Sequence, residues 1–82
     1  MKVVIYSKEN CVYCVRAKQL LDAKKIKYEE LRVDLDDVLL QEMLMRSQRR
    51  TVPQIFINDD HVGGYDDLYA LDQRGELDKL LT

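Results

Sequence analysis

The chain has 82 residues, of which 46% are hydrophobic and 34% are charged, and its formal net charge is −2. This balance predicts one small globular domain, residues 1–82, rather than a disordered chain, and the slight acidic excess argues against a nucleic-acid partner. No apolar run approaches the roughly 20 residues of a membrane span, and Lys8 and Glu9 end the N-terminal run too early for a secretory signal. We therefore expect a cytoplasmic protein with no membrane partner.

The first half of the chain has the pattern strand–helix–strand–helix. Residues 2–7 form an apolar, strand-like run, and residues 12–25 have helical spacing. Residues 28–33 predict a second strand, and the polar stretch 34–37 predicts the cap of a second helix that ends near Arg46. The expected inner faces of the two helices consist of Ala17, Leu20, Leu21, Leu39, Leu40, Met43 and Leu44.

The second half of the chain predicts a hairpin followed by a helix. Residues 54–57 form a third strand, an Asn-Asp-Asp turn follows, and residues 61–62 return as a short fourth strand. Asp66 or Asp67 then caps a last helix, which Gly75 interrupts or ends.

The predicted element order is therefore β-α-β-α-β-β-α. The first half is compatible with a right-handed parallel βαβ unit, and the second half adds an antiparallel hairpin and a helix. We expect an α/β fold in which a four-stranded mixed sheet is flanked on both faces by three or more helices. This is the thioredoxin-like arrangement.

The two cysteines, Cys11 and Cys14, lie between the first predicted strand and the first predicted helix. A sulfur at a helix N-terminus is near free backbone N–H groups, which lower a thiol pKa from about 8.5 to roughly 3.5–7.5. A second thiol one turn later can close a disulfide with it. Structural zinc normally needs four Cys or His ligands, and His61 is the single histidine. A disulfide oxidoreductase is thus favoured over half of a zinc site or a coincidental buried pair.

Two further motifs are ambiguous when each is taken alone. In Thr51-Val52-Pro53, a cis bond before the proline would free the Val52 backbone to pair with an extended peptide, but a simple strand-start proline explains the motif equally well. The double glycine of 63–67 allows a ligand to approach, and its carboxylates can hold an ammonium group. A tight turn followed by an Asp cap explains that segment more simply. For His61 we expect a structural role.

Together, the three motifs resemble those of a dithiol glutaredoxin, most closely the short bacterial type-3 glutaredoxins. The likeness covers nearly the whole chain and includes, in order, Ser7-Lys8-x-x-Cys11-x-Tyr13-Cys14, Arg50-Thr51-Val52-Pro53 and Gly63-Gly64-x-Asp66-Asp67-Leu68. It implies a monomeric, glutathione-dependent thiol–disulfide oxidoreductase that reduces protein disulfides and glutathionylated mixed disulfides. Glutathione would be the co-substrate, and neither a cofactor nor a metal would be required.

The resemblance also implies roles for individual residues. Cys11 would be the nucleophile and Cys14 the resolving thiol. Lys8 would stabilise the Cys11 thiolate or bind the glycine carboxylate of glutathione, and Tyr13 would pack beside the glutathione sulfur.

The other implied contacts follow the length of the glutathione molecule. Thr51 and Val52 would pair with its cysteinyl unit beside a cis Pro53. The γ-glutamyl end would be held by Gly64, Asp66 and Asp67. Of these, Asp67 is the best candidate for the ammonium group. Arg49 and Arg50 are candidates for a carboxylate of glutathione or for ordinary solvated charges.

Val12 departs from the family pattern, because many dithiol members have proline between the first cysteine and the tyrosine. The change restores a backbone N–H and frees the φ angle in the active-site turn. Members without this proline are associated with a glutathione-ligated 2Fe–2S cluster, so a cluster carrier is one alternative function. A second alternative is a redoxin that is reduced by thioredoxin reductase and serves ribonucleotide reductase. Such proteins resemble the chain less over residues 63–67.

Overall fold

The alternating apolar and polar segments form four strands and four helices in a computed structural model, which describes residues 1–81. Thr82, the last residue of the expected domain, lies outside the described residues. The elements are β1 (Val3–Ser7), α1 (Val12–Ala23), β2 (Glu29–Arg32), α2 (Asp37–Ser47), β3 (Gln54–Ile57), β4 (Asp60–Gly63), α3 (Tyr65–Gln73) and α4 (Glu76–Leu81). No helix within 1–81 is long and apolar enough to cross a membrane.

The four strands form one sheet in the order β2-β1-β3-β4. β1 runs parallel to β2 and antiparallel to β3, and β4 is antiparallel to β3. All five residues of β1 are buried, as expected for a central strand that is covered on both faces. The predicted four-stranded mixed sheet is therefore confirmed.

Side chains alternate along β1 and β3 and so form a separate apolar core on each face of the sheet. On one face, strand residues pack against α1, α3 and α4, and the buried members are Val3, Ile5, Ala17, Leu21, Ile26, Ile55, Ile57, Leu68 and Leu77. On the other face they pack against α2, and the buried members are Val4, Tyr6, Val33, Met43 and Phe56. The prediction that helices cover both faces is confirmed.

The predicted cap of the last helix is wrong. α3 begins at Tyr65 with Gly64 as its N-cap, so neither Asp66 nor Asp67 occupies the cap position. Asp67 is instead the third helical residue, and its Oδ2 accepts the Gly64 N–H at 2.9 Å. A carboxylate at this position stabilises a helix start by pairing with the cap N–H from inside the helix. The predicted break at Gly75 is confirmed, since this glycine lies between α3 and α4 with φ 75°.

Candidate active site

Cys11 and Cys14 lie at the junction between β1 and α1. Cys11 is the N-cap of α1, and the two cysteines are joined as a disulfide with a Cα–Cα distance of 5.2 Å. The Cys14 N–H points at Cys11 Sγ from 3.1 Å. Cys14 is 1% exposed, whereas Cys11 is only half-buried. After reduction, the helix N-terminus stabilises negative charge on Cys11, and Cys11 is the sulfur that a substrate can reach.

The loop that precedes β3 lies against the cysteine pair. The carbonyl oxygen of Val52 is 3.9 Å from Cys11 Sγ, and the peptide bond between Val52 and Pro53 is cis. Thr51 is exposed, Val52 is half-buried and Pro53 is buried. The topology explains this approach, because β3 is the antiparallel neighbour of the strand that leads into the cysteines.

A groove of about 210 Å³ extends beside this loop to the start of α3. It is lined by Tyr13, Arg49, Thr51, Val52, Pro53, Gln54, Gly64, Tyr65, Asp66 and Asp67. Every predicted site residue other than Lys8 and the two cysteines is in this lining. Lys8 is exposed in the segment between β1 and α1. The structure thus brings together three motifs that are far apart in the sequence.

Opposite charges meet at one end of the groove. Arg49 Nη1 lies 3.2 Å from Asp67 Oδ2, which also accepts the Gly64 N–H. The hydrogen bond from Gly64, followed by the one from Arg49, holds the pKa of Asp67 below its usual range. The Asp67 carboxylate is therefore ionised at neutral pH. Of the two candidate arginines, Arg49 is the one that lines the groove, whereas Arg50 is exposed and outside the lining.

Comparison with known proteins assigns this site to a family. The family model described as glutaredoxin matches residues 3–62. The chain belongs to the glutaredoxin family. It is 57% identical over 79 residues to Glutaredoxin 3 of Escherichia coli (strain K12), covering 96% of this chain and 95% of that protein.

Solved glutaredoxin structures share the fold. The solution structure of glutaredoxin from Brucella melitensis has a TM-score of 0.86 at 49% identity, covering 99% of this chain and 88% of that one. A crystal structure of a buckwheat glutaredoxin–glutathione complex has a TM-score of 0.88 at 33% identity, covering 96% of this chain and 74% of that one. The predicted thioredoxin-like fold is confirmed. With its cysteine pair at disulfide distance, this glutaredoxin is a dithiol thiol–disulfide oxidoreductase.

Two residues of the groove were not among the predicted site residues. Tyr65 stacks on Tyr13 with ring centroids 6.1 Å apart, so it extends the aromatic edge of the groove. Gln54 has no exposed surface and hydrogen-bonds both Thr51 and His61. The sequence signal for Gln54 is its position, because it is a polar residue at the start of an otherwise apolar strand.

Gly63, the first of the two glycines before α3, is required by close packing. Gly63 has φ 121°, a conformation that residues with a side chain rarely adopt. A Cβ at this position would also overlap the Asp67 carboxylate. Gly63 therefore allows Asp67 to reach the Gly64 N–H and face the groove.

Among residues 1–81, no group of three or more His, Cys, Asp or Glu side chains is arranged to hold a metal ion.

Proposed function

We propose that this glutaredoxin uses glutathione to reduce protein disulfides and glutathionylated mixed disulfides. The observation that carries the proposal is the groove, which leads from the loop beside Cys11 to the Arg49–Asp67 pair. Glutathione has an ammonium group and a carboxylate at one end and a second carboxylate at the other, so it suits a groove with charges of both signs. The solved complex of buckwheat glutaredoxin with glutathione supports the same ligand class.

The chemistry proceeds by thiol–disulfide exchange. With a glutathionylated protein, the Cys11 thiolate attacks the glutathione sulfur. The bond between the protein sulfur and glutathione breaks, and the protein thiolate leaves and takes up a proton. A second glutathione, as thiolate, then attacks the glutathione sulfur bound to Cys11. This step releases oxidised glutathione and restores the Cys11 thiolate.

A protein disulfide needs both cysteines. Cys11 attacks one sulfur and forms a mixed disulfide with the protein, and the Cys14 thiolate then displaces the protein thiol. This closes the Cys11–Cys14 disulfide, and the two electrons have passed to the substrate. Two glutathione molecules then restore the two thiols and leave as oxidised glutathione. The burial of Cys14 suits a resolving role, because it limits contact with external disulfides.

The groove supports a binding pose for glutathione. The backbone of Thr51 and Val52, beside Pro53, would pair with its cysteinyl unit, while the exposed Tyr13 ring packs near its sulfur. At the γ-glutamyl end, N–H groups at the start of α3 suit the carboxylate and Asp67 suits the ammonium group.

Four further residues complete the proposed site. Gly64 leaves room for the ligand backbone, and Asp66 adds negative charge at the γ-glutamyl end. Arg49 suits a carboxylate of glutathione. Lys8 is proposed for the Cys11 thiolate or the glycine carboxylate on the basis of the family resemblance.

A reductase assay coupled to glutathione tests the proposal with the wild type, Cys11→Ser and Cys14→Ser. We expect Cys11→Ser to lose all turnover. Cys14→Ser should still reduce a glutathionylated peptide but lose the reduction of protein disulfides, because only that route needs a resolving thiol. Turnover by Cys11→Ser would contradict the assignment of the nucleophile.

Further outcomes would favour one of the alternatives named from the sequence. Efficient reduction with thioredoxin reductase but not with glutathione would indicate a redoxin of the ribonucleotide reductase type. Anaerobic reconstitution with iron, sulfide and glutathione should give no absorbing cluster and leave a monomer in sedimentation. A visible-absorbing dimer would instead indicate a 2Fe–2S carrier.

A further inference from the structure

Gln54 is a polar side chain inside the apolar sheet. It is the first residue of β3, it follows Pro53, and it has no exposed surface. The next three residues of the strand, Ile55–Ile57, are all buried and apolar. A buried amide weakens a fold unless its donors and its acceptor are paired, so its partners indicate why it is tolerated here.

Both the nitrogen and the oxygen of the Gln54 side-chain amide have hydrogen-bond partners. Its Nε2 donates to the carbonyl oxygen of Thr51 at 3.0 Å and lies 3.2 Å from Thr51 Oγ1. Its Oε1 lies 2.7 Å from His61 Nε2. Since a carbonyl can only accept, the amide nitrogen must face Thr51 and the amide oxygen must face His61. His61 is therefore the donor, with its proton on Nε2.

His61 is itself fixed in place. Its ring packs on Phe56 with centroids 4.9 Å apart, and it lies on β4, which pairs with β3. The chain of hydrogen bonds thus runs from the outer strand of the sheet, through a buried amide, to the loop that lines the groove.

We propose that Gln54 is a positioning residue, oriented by His61, that holds Thr51 where the loop meets glutathione. The inference rests on the proposed function, in which the backbone of Thr51 and Val52 pairs with the ligand. The carbonyl oxygen of Val52 is 3.9 Å from Cys11 Sγ. A displacement of Thr51 therefore moves the neighbouring Val52 relative to the reacting sulfur.

The charge state of His61 does not interrupt this arrangement. Burial, followed by the positive charge of Arg49, holds the pKa of His61 below its usual value. The other charged groups that act on it are Asp67 and Arg46. Neutral imidazole already carries its proton on Nε2, and protonation adds one at Nδ1. The donor to Gln54 is therefore present in both states, and the positioning effect should not vary with pH.

The primary test compares the wild type with Gln54→Leu in the glutathione-coupled assay. Leucine has a similar volume but pairs with neither Thr51 nor His61. Loss of these hydrogen bonds should raise the KM for a glutathionylated peptide about fivefold to tenfold. The kcat should stay within about twofold, because the variant leaves Cys11 and the Cys14 N–H that pairs with its sulfur in place.

Variants of His61 provide a matched pair. His61→Phe keeps a ring against Phe56 but has no donor, so we expect the KM to rise about threefold. His61→Gln keeps an N–H donor and should restore part of the lost affinity. The double variant Gln54→Leu/His61→Phe should match Gln54→Leu alone, because both changes act through the same amide.

Thermal unfolding separates positioning from mere stability. The double variant leaves no unpaired amide, so its Tm should exceed that of His61→Phe while its KM stays high.

An unchanged KM in both Gln54→Leu and His61→Phe, with a lowered Tm, would overturn the proposal. Additive effects in the double variant would also overturn it. If Gln54→Leu does not fold, the His61 pair decides, because His61 is more exposed to solvent than the fully buried Gln54. Absence of wild-type turnover with glutathione would instead refute the proposed function.

Discussion

At the residue scale, the chemistry of the site depends on which backbone N–H groups point at which side chains. Cys11 Sγ is approached by the N–H of Cys14 rather than by that of Val12. The N–H that this sequence has in place of proline is therefore not the one paired with the sulfur. Val12 is 62% exposed, so its side chain is available to a substrate that approaches Cys11.

Asp67 offers a residue-scale prediction about ligand affinity. Asp67→Asn keeps an oxygen to accept the Gly64 N–H but removes the charge that faces the proposed ammonium group. Charge-assisted hydrogen bonds are worth about 1.5–3 kcal/mol, so we expect the KM for a glutathionylated peptide to rise about tenfold or more. Steady-state kinetics with that peptide would measure the change.

The control for this variant is Asp60→Asn, which removes the same charge from an exposed residue outside the groove lining. Its KM should match that of the wild type. The lowered pKa of Asp67 also sets a pH expectation, since this carboxylate stays ionised well below neutrality. The ratio of the variant KM to the wild-type KM should therefore be constant from about pH 8 to pH 5. A KM ratio that falls toward 1 within this pH range would contradict the proposed role of Asp67 in binding the ammonium group.

At the scale of the elements, periodicity predicted all four strands and the first three helices, while the element ends were less accurate. α4 was anticipated only through the expectation that Gly75 interrupts or ends the last helix. α1 ends at Ala23, two residues before the predicted end, and Lys25 is left-handed with φ 59°. Lysine is a good helix former, so no local signal marks this stop. The cap of α3 was misassigned for a related reason. Asp is favoured both at the cap and within the first turn, and only the backbone around Gly64 distinguishes the two.

Glu30 links three elements and gives a prediction about acid stability. Its carboxylate accepts a hydrogen bond from the Ser7 hydroxyl on β1 and lies 2.9 Å from Lys18 Nζ on α1. These two contacts, with the Ser7 hydrogen bond the larger, hold the pKa of Glu30 below its usual value. A carboxyl whose pKa is lower in the folded state stabilises the fold above its unfolded pKa and loses that effect as the pH falls through the folded value.

We therefore expect Glu30→Gln to lower the free energy of unfolding by about 1 kcal/mol at pH 7. The difference from the wild type should shrink below about pH 4.3, the ordinary pKa of glutamate. Urea unfolding at pH 7, 5 and 3 would measure it. Glu29→Gln is the matched control, because within residues 1–81 the carboxylate of this neighbour has neither a side-chain hydrogen bond nor an ion pair, and it should show little change at any pH. If Glu30→Gln lowers the free energy of unfolding by the same amount at all three pH values, the charge of Glu30 does not contribute to stability.

At the scale of the whole molecule, the site exists because the topology brings distant segments together. Three separate motifs and a family resemblance predicted most of the residues that line the groove, but not Gln54 or Tyr65. The sequence did not predict that Arg49 rather than Arg50 faces Asp67. Both arginines follow α2, and the directions of their side chains depend on the left-handed backbone of Gln48 at the end of that helix. Nor did the sequence predict the contact of Gln54 with His61, which depends on how β3 pairs with β4.

The two cores on opposite faces of the sheet lead to a prediction about cooperativity. They share β1 and β3, so neither can lose its packing without disturbing strands that the other needs. Leu21 and Met43 are fully buried, one in each core. Replacement of either by alanine should lower the free energy of unfolding by about 2–5 kcal/mol. Each variant should nevertheless unfold in a single transition.

Urea unfolding followed by far-UV circular dichroism and by the NMR signals of the Tyr6 ring tests this expectation, because Tyr6 belongs to the α2 core and reports on one face. Ala23→Ser is a control, since this residue is exposed at the end of α1 and should change the free energy by less than about 0.5 kcal/mol. For Leu21→Ala, the two signals should give the same midpoint, although the mutation lies on the opposite face from Tyr6. A midpoint from the Tyr6 signals that stays at the wild-type value while the dichroism midpoint falls would mean that the α2 core unfolds independently. The shared strands would then not couple the two faces.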